Sequence, residues 1–232
     1  MAKAIKALLF DKDGTLFDFQ ATWGVWCAGF ISEMSAGDSV MASALAKAMD
    51  YDLENSTFLP SSVMIANSMD GIMDAVHSAL PHWDREALTQ YVIETGSRAP
   101  QTPVVDLGPL LARFRANDLK IGLATNDNEA PARAHLTSVD ILQHFDFVSG
   151  CDSGFGAKPE PGMLLSFADA MGLQPPQVAM VGDSTHDLRA GRAAGMVNIA
   201  VLTGPAVADE LAPFADVVLR DIGEIPEWLG LD

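Results

Sequence analysis

The chain has 232 residues, 49% of them apolar, which is enough for one substantial core or two unequal domains and too apolar for a disordered chain. Thirty-one acidic residues against fourteen basic ones give a net charge of −17, which repels polyanions at long range and makes nucleic acid and anionic membrane poor partners. A small anionic substrate is compatible with that balance only where a metal ion or a few placed cations reverse the local field. Cys27 and Cys151 are too few for a disulfide framework and stand outside any Cys-x-x-Cys pair, so both read as free thiols of a reducing compartment. No apolar run approaches the roughly 18 residues of a membrane span. The apolar start is interrupted by Lys6 and stops at Asp11, unlike a signal peptide. A soluble cytoplasmic protein is expected.

In chain order, residues 4–10 are a short apolar run with the length of a buried strand, followed by Asp11-Lys12-Asp13-Gly14-Thr15-Leu16. From about residue 21 to 96 the pattern is helical. Trp23, Trp26, Cys27 and Phe30 share one helical face, and further helices are expected over 39–49, 68–80 and 84–95. Asp84 suits an N-cap, Pro81 breaks the helix before it, and Gly96 suits a helix stop. The Met and aromatic stripes of this block read as core packing.

After Pro100 and Pro103 the chain alternates. Helices are expected over 107–116, 131–138, 161–171 and 187–194, and strands over 120–125, 145–149, 177–181, 197–202 and 216–219. This predicts a three-layer, Rossmann-like α/β core with a mostly parallel sheet. Residues 1–20 and 97–232 would form that core, with 21–96 inserted after the first strand as a helical domain. Residues 203–213 read as a loop and a short helix, and Trp228 of the tail is expected to pack against the body of the fold.

Polar residues collect where strands end, which is where open α/β sheets bind ligands. The carboxylates Asp11 and Asp13 suit a hard cation such as Mg²⁺, although Asp and Gly are also ordinary turn residues. Thr125-Asn126-Asp127 offers a hydroxyl and backbone N–H groups ahead of a helix with Pro131 near its first turn, either a phosphate site or an ordinary cap. Lys158, between Gly154-Phe155-Gly156 and Pro159, is fixed in direction and suited to offset phosphoryl charge. Asp183 and Asp187 follow the strand 177–181, and acidic residues from two strand ends complete the oxygen shell of one Mg²⁺. His186 reads as a solvated or supporting residue.

These four elements, in this order and each behind a strand, resemble the haloacid dehalogenase superfamily over nearly the whole chain. The form Asp-x-Asp-Gly-Thr-Leu with the helical insertion after it resembles the branch with an α-helical cap, which includes phosphoglycolate phosphatases and β-phosphoglucomutases. The resemblance implies a Mg²⁺-dependent phosphatase acting on a small phosphate monoester, phosphoglycolate-like or a sugar phosphate. Asp11 would be the nucleophile that forms an aspartyl phosphate, and Asp13 the acid and base. Thr125 and the Asn126 backbone would hold phosphoryl oxygens, and Lys158 would neutralise charge. Mg²⁺ would be held by Asp11, the Asp13 carbonyl and Asp183. Gly14 is a supporting residue, and Asp187 would support Lys158 or a metal-bound water.

Two positions depart from the family's usual pattern. Lys12 replaces an apolar residue, and Phe19 stands at the hinge where a small polar residue is frequent. Asp13 argues against a dehalogenase. A sugar-phosphate mutase and a non-catalytic binding protein on the same fold are the competing readings. Arg85, Arg98, His77 and His82 are candidates to contact a second anionic group, with an ordinary surface role as the alternative. Oligomeric state stays open between monomer and dimer.

Overall fold

The computed structural model describes residues 5–59, 61–66 and 69–231. Ala4 and Ser68, expected to begin a strand and a helix, and Asp232 of the tail lie outside the described residues. The chain opens with strand β1 (Ala7–Phe10) and enters the helical block through a π-helical turn at Gln20–Gly24. There follow α1 (Val25–Ser35), α2 (Ser39–Ala48), the short strands β2 (Tyr51–Asp52) and β3 (Thr57–Phe58), α3 (Val63–Ala66), α4 (Met69–Ala79) and α5 (Arg85–Gly96). The alternating part comprises α6 (Leu107–Ala116), β4 (Lys120–Ala124), α7 (Glu129–Ser138), β5 (Phe147–Ser149), α8 (Gly162–Ala170), β6 (Val178–Gly182) and α9 (Thr185–Ala194). It closes with β7 (Val197–Val201), α10 (Ala208–Leu211), β8 (Val217–Leu219) and α11 (Ile225–Leu229).

Six strands form one parallel sheet in the order β5-β4-β1-β6-β7-β8. The winding reverses beside β1, so the loops after β1, β4 and β6 surround a single crevice at the carboxyl edge. All four residues of β1 are buried, as a central parallel strand covered on both faces requires. Alternate side chains serve opposite layers. Leu8 and Phe10 pack with Leu111 and Phe114 of α6 and Leu136 of α7. Ala7 and Leu9 pack with Met163 and Phe167 of α8 and Ala190 of α9.

The helical block has an apolar cluster of its own, drawn from residues 19 to 99 and including Trp26, Cys27, Phe30, Leu45, Met73 and Leu88. Asp38 and Asp84 cap α2 and α5 by accepting backbone N–H bonds. Two paired linkers join the block to the sheet. The Asp18 N–H donates to Thr102 O at 2.8 Å and the Val104 N–H to Leu16 O at 3.0 Å. No helix of the described residues is long and apolar enough to cross a membrane.

Three sequence expectations need correction. The helical block contains the antiparallel pair β2/β3, stabilised when Tyr51 and Phe58 meet edge to face at 5.1 Å and the Gln20 carboxamide bonds both Phe58 backbone groups. Runs of two residues are too short to show an alternating pattern. Strand β5 starts two residues later than expected because Leu142–His144 is a 3-10 turn, to which the Phe145 N–H belongs. Trp228 is 38% exposed rather than packed inward, since α11 turns Ile225 and Pro226 to the core and leaves Trp228 facing out.

Gly122 in β4 faces α8, and a Cβ there would lie 2.7 Å from Phe167 and 2.8 Å from Leu9. Gly122→Leu is therefore expected to cost about 1–3 kcal/mol of stability. The expected readout is a lower urea midpoint at unchanged slope, and an unchanged midpoint would refute this close contact.

Candidate functional site

Asp11 is the first residue beyond β1, and its N–H continues the sheet by donating to Val181 O at 2.9 Å. Its carboxylate is buried and receives the Lys158 ammonium at 2.6 Å. Lys158 also lies 2.6 Å from Asp187, so one buried cation bridges two buried carboxylates, one just after β1 and one in the first turn of α9. Burial alone would push Lys158 down, but Asp11 and Asp187 outweigh it and hold the ammonium above the ordinary lysine value.

Asn126 positions that lysine. Its side-chain NH₂ donates to Lys158 O at 2.9 Å, and its carbonyl oxygen accepts the Lys158 N–H at 2.9 Å. The sequence reading assigned Asn126 a backbone role and missed this clamp, because the partners are 32 residues apart. Thr125 is buried, and its hydroxyl oxygen accepts the Asp127 N–H at 3.1 Å, which leaves its own hydrogen to donate into the crevice.

Asp183, directly after β6, is buried and accepts a bond from the Thr15 hydroxyl at 3.3 Å. Gly14 and Gly204 make room for it. Cβ atoms at these positions would fall 2.4 and 1.7 Å from an Asp183 oxygen, and Gly14 also has a φ of 78°. Asp187 is held at the start of α9, where it accepts the Ser184 hydroxyl at 2.6 Å and the Ser184 N–H at 3.1 Å.

Asp11, Asp183 and Asp187 present carboxylate oxygens all within 4.8 Å of one another. Burial, then Asp187 and Asp11, raise Asp183 well above the ordinary carboxylate range. Asp11 is pushed up to about 7, first by burial and then by Asp187 against the opposing pull of Lys158. Three buried carboxylates with one ammonium leave excess negative charge in a low dielectric, and oxygen-only donors suit a hard divalent cation. The donor set therefore fits Mg²⁺.

Asp13 lies in the same crevice with its side chain turned to Lys12, at 2.8 Å. Lys12 is fully buried. Its ammonium also meets Asp127 at 3.3 Å and His135 Nδ1 at 3.1 Å, and lies 5.2 Å from the Trp23 ring centre. His135 Nδ1 accepts from that ammonium, so the ring carries its proton on Nε2 and donates to Gly96 O at 2.9 Å. Burial, then Lys12, lowers the His135 pKa and keeps this imidazole neutral. Lys12 thus ties Asp13, through His135, to the end of α5. His135 was not singled out from the sequence, and its position 123 residues from Lys12 left no local signal.

The crevice opens into a cavity of about 120 Å³ between the strand ends and the helical block. Asp11, Asp13, Thr125, Asn126, Lys158, Asp183, His186 and Asp187 line the sheet side. Arg85, Arg98, His77 and His82 do not line it. Arg85 pairs with Asp74 at 2.8 Å, His77 bonds Trp83 O at 3.0 Å, and Arg98 and His82 are exposed.

A family model described as haloacid dehalogenase-like hydrolase matches residues 5–195. A phosphoglycolate phosphatase of Chromobacterium violaceum is 32% identical over 236 residues, covering 96% of this chain and 96% of that protein. A phosphoglycolate phosphatase of Yersinia pseudotuberculosis is 29% identical, covering 99% and 95%. A solved structure from Haemophilus somnus, described as a predicted phosphoglycolate phosphatase, superposes with a TM-score of 0.74 at 18% identity over 97% of each chain, a likeness of fold. With its parallel sheet, its strand-end carboxylates and a family match over most of its length, the chain belongs to the haloacid dehalogenase-like hydrolases.

Proposed function

We propose that the protein is a Mg²⁺-dependent phosphatase that hydrolyses a small phosphate monoester through an aspartyl phosphate on Asp11. The observation that carries this reading is the Lys158 ammonium held 2.6 Å from both Asp11 and Asp187, in a cavity that Asp183 and Thr125 also line. The relatives named phosphoglycolate phosphatase support the reaction type.

Asp11 and Asp183, with the Asp13 backbone carbonyl, would hold the ion. When bound, it screens the repulsion between a carboxylate and an anionic phosphoryl group. Thr125 and the Asn126 N–H hold phosphoryl oxygens, and Lys158, aligned by the Asn126 side chain, offsets their charge. An Asp11 oxygen attacks phosphorus, the bond from phosphorus to the alcohol oxygen breaks, and Asp13 gives that oxygen a proton. Asp13 then takes a proton from the water that attacks the aspartyl phosphate, and phosphate leaves. Residues 21–96 act as a cap over the crevice, moving on the paired linkers at 16–18 and 102–104.

Asp11→Asn is expected to abolish phosphate release while leaving circular dichroism and melting intact, and normal Mg²⁺-dependent release by that variant would sink the assignment. Interconversion of hexose phosphates without free phosphate would favour a mutase instead.

Mg²⁺ binding should depend on pH in a direction set by Asp11. Its pKa rises from 3.8 to about 7, so the folded protein binds more protons there than the unfolded chain, and the metal-free protein loses stability as pH rises through that window. Metal binding must displace the same proton. The rise in melting temperature with Mg²⁺ is expected to be larger at pH 8 than at pH 5.5, and a larger rise at the lower pH would contradict it.

Lys12 touches Asp13 but does not line the cavity. Lys12→Met is expected to lower kcat by about a hundredfold, the scale of a lost acid or base, with KM little changed. A change confined to KM would argue against a role through Asp13.

A further inference from the structure

The cavity has two unlike walls. Its sheet side is polar and carries the carboxylates and Lys158. Its helical side presents Trp23, Trp26, Ile65, Met69, Ile72 and Ile93. Trp26 is buried, and the others are partly buried side chains that keep apolar surface turned to the cavity. Trp23 and Trp26 meet edge to face at 5.8 Å, which makes a rigid aromatic corner.

The cations are distributed just as unevenly. Among the described residues, the basic side chains lining the cavity are Lys158 and His186, and both belong to the sheet side. Lys158 is engaged by Asp11 and Asp187. Lys12 lies behind Trp23, outside the lining, and is taken up by Asp13, Asp127 and His135. The undescribed positions of the helical block are Pro60, Asn67 and Ser68, which carry no charge. A carboxylate on the alcohol half of a substrate would enter a largely apolar wall with no cation to pair with, in a protein already strongly negative, and much of its lost hydration would go uncompensated.

We propose that the substrate is a phosphate monoester whose alcohol is uncharged and apolar, aromatic or branched aliphatic, seated against the Trp23, Trp26 and Ile72 wall while phosphorus lies at Asp11. This rests on the phosphatase reading above and departs from phosphoglycolate, whose alcohol half carries a carboxylate.

The test measures phosphate release with Mg²⁺ from benzyl phosphate, glycerol phosphate and phosphoglycolate, with Asp11→Asn as control. All three release a primary alcohol, so the comparison reports on the alcohol pocket more than on bond reactivity. The expected kcat/KM for benzyl phosphate exceeds that for phosphoglycolate by about a hundredfold and that for glycerol phosphate by about tenfold. Release of phosphate from phosphoglycolate as efficient as from benzyl phosphate, and lost in Asp11→Asn, overturns the substrate class and leaves the phosphatase intact. No release from any ester overturns the phosphatase reading and the substrate class with it. Ile72→Arg, and Ile65→Arg as a second variant, each checked by thermal melting, are expected to shrink the preference for benzyl phosphate over phosphoglycolate about tenfold, mainly through KM. A preference unchanged in a folded variant counts against the proposal.

Discussion

The Lys158 ammonium, 2.6 Å from Asp11 on one side and 2.6 Å from Asp187 on the other, is the contact on which the site depends. Asp11 leaves the central strand, Asp187 sits in the first turn of α9, and Lys158 comes from the loop before α8. Three segments far apart in sequence therefore converge on one charge. Removing it would leave two buried carboxylates unpaired beside a third, a cost of several kcal/mol by the usual behaviour of buried charges. Side chains on either hand hold this pairing in place. The Asn126 side chain grips both backbone groups of Lys158, and Ser184 grips the other face of Asp187.

A second buried lysine works beside the first with a different reach. Lys12 gathers Asp13, Asp127 and His135, and His135 passes the connection to Gly96 at the end of α5. The position of the helical block is thus coupled by hydrogen bonds to one of the two leading carboxylates. Trp23 covers this relay on one side and contributes to the apolar wall of the cavity on the other. The cavity is thus divided between a polar wall from the sheet and a largely apolar wall from the helices.

Much of the architecture was readable from local pattern. Residues 121–124 and 178–181 are short uncharged runs of strand length, followed by Thr125 in the first case and by Gly182-Asp183 in the second, as suits strands covered on both sheet faces. Asp84 announced its helix because a cap acts within three residues of itself. Elements below that scale escaped. The pair Tyr51–Asp52 and Thr57–Phe58 is defined by aromatic packing, and Trp228 by which side of a five-residue helix meets the core. Neither is a property of the segment alone.

The sequence by itself determined the order of strand and helix in the sheet part of the chain and the polar residues of the segments that follow its strands: Asp11, Asp13, Thr125, Lys158, Asp183 and Asp187. Periodicity and capping act within one turn or one strand, and one chain suffices to read them. Only the tertiary structure decided which of these groups meet. The distances that matter join residues 147 and 123 positions apart, and no local spacing encodes them. It also decided that the helical side of the cavity is apolar and without a cation among the described residues, because a side chain's direction depends on how helices pack. Arg85 looks available in the sequence and is spent on Asp74, whereas Lys12 looks misplaced there and is the best partnered lysine beside the crevice.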